Sequence, residues 1–190
     1  MKKLFIILFV LLFVAVFSGV GVLYYIKPDQ KLDLTYEKVT LKARAVDMAR
    51  RLSPELILTG ADLNNLAKQS LADHPQVERD VKVIGANFTL EDDLLIADLN
   101  LIWKDLISAG LQVTYRLHWD NPNVIVTVEK AKMKGISLPV SLFSDRVIPV
   151  GQELPKFLKI KDLVWGEGEV KVQFEKPTLK ELQQIIGMGD

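Results

Sequence analysis

The chain contains no cysteine. That absence removes thiolate nucleophiles, disulfide staples, cysteine metal ligands and a thioether lipid anchor together. Histidine is scarce too: His74 and His118 are the only two. Neither has a partner at metal spacing, and a zinc site needs three or four converging donors. There is no glycine-rich phosphate loop and no nucleophile elbow. Glu91-Asp92-Asp93 lacks the staggered oxygen ligands of a calcium loop and reads as a hairpin turn. An excess of one charge is also missing, with 24 basic and 24 acidic residues. Setting aside Lys2, Lys3 and Lys27 leaves 21 basic against 24 acidic residues, without the basic footprint of a nucleic-acid binder. A hydrolase has no nucleophile–base pair to work with. The expectation is no enzyme, no cofactor, no metal and no nucleic-acid partner.

What the chain does have is Leu4–Ile26, twenty-three consecutive uncharged residues behind Lys2 and Lys3. As a helix this run is roughly 35 Å long, enough to cross a ~30 Å hydrocarbon core. A cleaved signal peptide is the alternative, with a weak site at Val16-Phe17-Ser18 before Gly19. Its apolar stretch would end after about 7–15 residues. Here apolar character continues to Ile26, and Tyr24 and Tyr25 suit an interfacial aromatic belt. The reading is an uncleaved, single-pass anchor over 1–27. The leading lysines keep the N-terminus cytoplasmic and put a single α+β domain, 28–190, outside at the cell envelope.

Behind the anchor, Thr35–Leu52 has helical periodicity and ends at Ser53-Pro54. A short strand is expected at Glu55–Leu58. Thr59 with Asp62 forms an acidic capping box for a helix carrying Leu63, Leu66, Ala67 and Leu71 on one face, closed at His74-Pro75. From Val77 the period becomes two, with a phase change at Ile84-Gly85 that marks a bulge. Alternating segments follow at Leu94–Trp103, at Leu111–Trp119 and from Val124, joined by turns at Glu91-Asp92-Asp93 and Asp120-Asn121-Pro122-Asn123. Lys130, Lys132 and Lys134 alternate with Ala131, Met133 and Gly135, a solvated face or a protected sheet edge. Prolines break 138–157 into a loop with at most a short helix. A hairpin is expected over Phe157–Trp165 and Glu169–Glu175, and a closing helix over 179–186. The predicted architecture is one curved antiparallel sheet across 79–176, with the Thr35–Leu52 and Thr59–Ala72 helices packed on its apolar side.

Leu95, Ala97, Leu99, Leu101 and Trp103 share one strand face; Leu111, Val113, Tyr115, Leu117 and Trp119 share another. Such surfaces need a cover, from helices or from something that is not protein. Leu95, Leu99, Val113, Tyr115 and Leu117 are therefore the candidate ligand-binding residues, since none would force a charge out of water beside an acyl chain. Asp98 and Asn100 fall on the opposite face, where solvent is the favoured reading.

The anchor, the "LTGADLNNLAK" helix, the long alternating strands and "ISLPVSLF…ELPKFLKI…GEVKVQFEK" together resemble the YpmS-like family, single-pass membrane proteins of Firmicutes. The strongest pieces are Ile136-Ser137-Leu138-Pro139, Leu154-Pro155-Lys156-Phe157 and the strand from Glu169. That resemblance implies the topology and no site residues. At fold level, a helix followed by long twisted strands also resembles bacterial tubular lipid-binding (TULIP-like) domains, which hold acyl chains between a curved sheet and a helix. The expected partners are the bilayer and a lipid or other apolar ligand. The alternative is a non-enzymatic envelope scaffold or protein-interaction module with a filled core.

Overall fold

The computed structural model describes residues 21–41, 44, 55–150 and 159–176. Most of the anchor run, most of the Thr35–Leu52 segment and the expected closing helix over 179–186 lie outside them. Residues 21–25 are helical. Among the described residues no helix is long and apolar enough to cross a membrane.

Ten strands against little helix make the chain mostly β among these residues. In chain order they are β1 (Glu55–Thr59), α1 (Gly60–Asp73), β2 (Gln76–Glu78), β3 (Val81–Glu91) and β4 (Leu94–Trp103). β5 (Ile107–Asp120), β6 (Asn123–Met133), β7 (Ile136–Leu138), β8 (Arg146–Ile148), β9 (Ile160–Gly166) and β10 (Glu169–Phe174) follow. A curved, half-barrel antiparallel sheet runs β2-β3-β4-β5-β6-β7, with β8 also on β6. The expected single sheet over 79–176 is corrected here: β9 and β10 leave it and form a separate sheet, β1-β10-β9. β1 reaches across more than a hundred residues to pair Leu58 with Val170, a contact with no local signal in the sequence.

Alternation places the long strands well. The expected phase change appears as a register shift between Val83 and Gly85. Leu95 faces Tyr115, Ala97 faces Val113 and Leu99 faces Leu111. Tyr115 faces Val128, and Leu117 faces Val126. The shared face of these pairs is concave, and the core forms on it. Leu90, Leu117, Val124 and Val126 pack with Ile160, Leu163, Val170, Val172 and Phe174 of the smaller sheet. Leu111, Val113, Val128 and Ala131 form a second cluster, against which Leu138 and Phe143 pack.

The helices depart from expectation. α1 is capped as predicted: Thr59 Oγ1 accepts from the Asp62 amide at 3.2 Å, and Asp62 accepts from the Thr59 amide at 3.0 Å. Yet α1 sits along the β3 edge rather than across the apolar face. Asn64 Oδ1 accepts from the Phe88 amide at 2.9 Å, which satisfies an edge donor. No apolar side chain of α1 is fully buried. Residues 35–40 are neither helix nor strand; helix is present at Leu41 and Arg44. The Glu37 amide donates to Asn65 Oδ1, so the segment is held to α1 as a strap.

Candidate functional site

The five candidate residues share the concave face, and they do not form one wall. Val113 is fully buried and Leu117 is 8 % exposed, each inside a packed cluster. Leu95, Leu99 and Tyr115 are half-buried. Tyr115 touches both clusters. Burial pushes its phenol pKa up, and the nearby Arg146 partly opposes that. The phenol thus stays neutral and adds no charge to the face.

Cover on this face is uneven: Val83, Ala97 and Val113 are buried on it, whereas Leu95, Leu99 and Leu101 of β4 are half-buried. At the β5–β6 turn, where the smaller sheet sits, Val124 and Val126 are buried. Towards the other end Leu101, Ile107 and Ala109 are only half-buried, and Trp103 is 45 % exposed. The result is an apolar trough along β4, half-covered at Leu95, Leu99 and Leu101 and exposed at Trp103 beside the β4–β5 turn.

The convex face carries a feature that alternation alone did not reveal. Gly85 pairs with Asn100, and Asn100 with Gly110, so the three stand in one row across β3, β4 and β5. Residues 26–33 cross the sheet along that row. Gly110 donates its amide to the Ile26 carbonyl at 2.9 Å. Asn100 Nδ2 donates to the Gln30 carbonyl at 2.8 Å, and Ala86 donates its amide to the Asp33 carbonyl at 3.1 Å. A Cβ at Gly85 would overlap the Leu32 carbonyl, and one at Gly110 would lie 3.1 Å from Pro28 Cα. Both glycines are needed because backbone passes directly over them. Solvent was the favoured reading for Asn100, yet it is 7 % exposed beneath the strap. Asp98 accepts from Gln112 instead.

Ion pairs fasten both ends. Lys134 Nζ is 2.8 Å from Asp29 and lies over the Tyr25 ring at 5.5 Å. Of the lysine stripe read as a solvated face or a protected sheet edge, Lys130 and Lys132 are exposed, whereas Lys134 is half-buried. Asp33 accepts from the Thr35 amide, which holds its carboxyl pKa down, and Lys68 adds to this at 3.8 Å. A groove of about 250 Å³ remains beside the strap, lined by residues that include Lys27, Asp29, Asp98, Gln112 and Lys134.

The sequence reading missed Gln30, Gly85 as a crossing point, Gly110 and Lys134 as strap holders. Only the glycines left a signal, and the shared register that makes them one row appears once strands pair. His74 caps α1 and His118 is exposed on the convex face of β5. Among the described residues no three His, Cys, Asp or Glu side chains converge as a metal would require. No protein-family model, curated protein or solved structure matches the chain.

Proposed function

We propose that the protein is a membrane-anchored, non-enzymatic domain of the extracytoplasmic face that shields a lipid or another apolar molecule in its concave trough. The anchor is the Leu4–Ile26 run, with the N-terminus cytoplasmic, as the YpmS-like resemblance implies. The observation that carries the reading is the row of incompletely covered apolar side chains along β4. Leu95, Leu99 and Leu101 present apolar, half-covered surface, and the row ends in an exposed Trp103. At about 25 cal/mol per Å², covering such surface with one acyl chain is worth several kcal/mol. The strap supports the reading too. It fixes the end of the anchor run to β5 through Ile26 and Gly110, so the trough is held at a set place beside the membrane.

A second reading, a scaffold whose core is already filled, is favoured by the complete burial of Val113. One experiment separates them. The full chain is extracted in mild detergent, and bound lipid is measured by mass spectrometry in wild type and in Leu99→Asp. Leu99 is half-buried, so the substitution charges the trough while a thermal melt checks the fold. Loss of a defined lipid from a folded variant is the expected result. Identical lipid content in both proteins would leave the scaffold reading.

A further inference from the structure

We infer that the β4–β5 turn, Trp103–Leu106, is a second membrane contact that enters the headgroup layer beside the anchor. The inference rests on reading Leu4–Ile26 as a membrane span. Two sets of observations carry it: what the turn is made of, and where it lies.

Leu106 is 83 % exposed, the most exposed large apolar side chain among the described residues, and Trp103 beside it is 45 % exposed. Lys104 lies over the Trp103 ring at 4.9 Å and has no ion-pair partner among the described residues. A tryptophan, a leucine and an unpaired lysine on one turn form an amphipathic tip. Indole favours the interfacial zone, leucine the hydrocarbon beneath it, and a lysine can reach back to anionic headgroups. The tip has a fixed shape. Lys104 and Asp105 both hold positive φ, 50° and 54°, Leu106 donates its amide to the Trp103 carbonyl, and Lys82 pairs with Asp105 at 2.9 Å. A plain solvent-facing turn would place glycine or asparagine at such positions and would not need an exposed leucine.

The location agrees. The chain leaves helical residues 21–25 at the β6–β7 turn, where the Tyr25 hydroxyl lies beside Gly135 and Lys134 covers the ring. That turn and the β4–β5 turn are at the same end of the sheet. Gly110, which holds Ile26, stands three residues from Ile107, so the tip projects roughly 10 Å past the strap. It also stands at the exposed, Trp103 end of the half-covered β4 row.

The absence of native cysteine makes the test clean. Full-length Leu106→Cys carries a nitroxide and is reconstituted into vesicles of phosphatidylethanolamine and phosphatidylglycerol in equal parts. His118→Cys, exposed on β5 towards the opposite end, is the reference. Power saturation compares collisions with oxygen, which concentrates in hydrocarbon, and with a water-soluble nickel chelate. The expected result is an oxygen-to-nickel ratio several-fold higher at 106 than at 118. Equal, water-like ratios in protein that floats with the vesicles would overturn the inference alone, and point to a protein as the partner of this tip. Protein that fails to float would overturn the anchor reading and the inference with it.

Discussion

Gly85, Asn100 and Gly110 do together what none does alone: they let eight residues of backbone cross a β-sheet at van der Waals distance. The two glycines open the space, and the 7 % exposed Asn100 donates to the Gln30 carbonyl that passes over it. Gly85→Ala should therefore lift the strap while leaving the sheet intact. Overpacking of this kind costs about 1–3 kcal/mol. Hydrogen exchange should quicken at the amides of Ala86 and Gly110, whose acceptors are strap carbonyls, and stay slow in β5–β6. Unchanged exchange at both amides would mean that the strap contributes nothing to holding this face. From the sequence, Gly85 was legible as a bulge because the apolar phase changes there. Its role as a crossing point was not, since that depends on residues some fifty positions upstream.

Among the elements, α1 is the one whose beginning was written most plainly. Thr59 and Asp62 close the capping box, and Arg44 donates to Asp62 at 2.8 Å. The Arg44 hydrogen bond holds the Asp62 carboxyl below its ordinary range, and the Thr59 amide and hydroxyl add to this. A carboxyl with a folded pKa below its unfolded one stabilises above the unfolded value, about 3.9, and loses that contribution as pH falls through the folded value. Asp62→Asn should thus cost about 1 kcal/mol at neutral pH. The gap in melting temperature between variant and wild type should begin to narrow below about pH 4 and close only below the folded pKa. A gap that persists unchanged at pH 3 would assign the effect to shape rather than charge. The strands were legible for the same local reason as the cap: one buried face demands period two. Sheet membership was not, because β9 and β10 alternate whichever sheet they join, and β1 finds Val170 only through tertiary pairing. Thr35–Thr40 failed for another reason. The half-covered Leu32, Leu34 and Tyr36 that precede and enter it alternate, the segment is tied to α1 through Glu37 and Asn65, and a short apolar pattern can serve either helix or strap.

At the scale of the whole molecule, one end gathers every feature that points to a membrane. Helical residues 21–25 leave the sheet there, the strap begins there, the β4 row ends there in exposed Trp103, and the Trp103–Leu106 tip projects from it. The opposite end is closed by β1, β9 and β10 over Leu117, Val124 and Val126. Of the five candidate residues, the shared face was legible from alternation. The division between buried Val113 and Leu117 and half-covered Leu95, Leu99 and Tyr115 was not, because it depends on where the smaller sheet and residues 138–143 come to rest. The central claim, an apolar ligand held on that face, is tested most directly by photocrosslinking in intact cells. A benzophenone amino acid replaces Leu99 in the trough or Thr127, which is exposed on the convex face of β6. Irradiated protein is then digested, and its adducts are identified by mass spectrometry. The account predicts a lipid-mass adduct at position 99 and none at 127. Adducts at both positions alike, or only intramolecular crosslinks at 99, would contradict it.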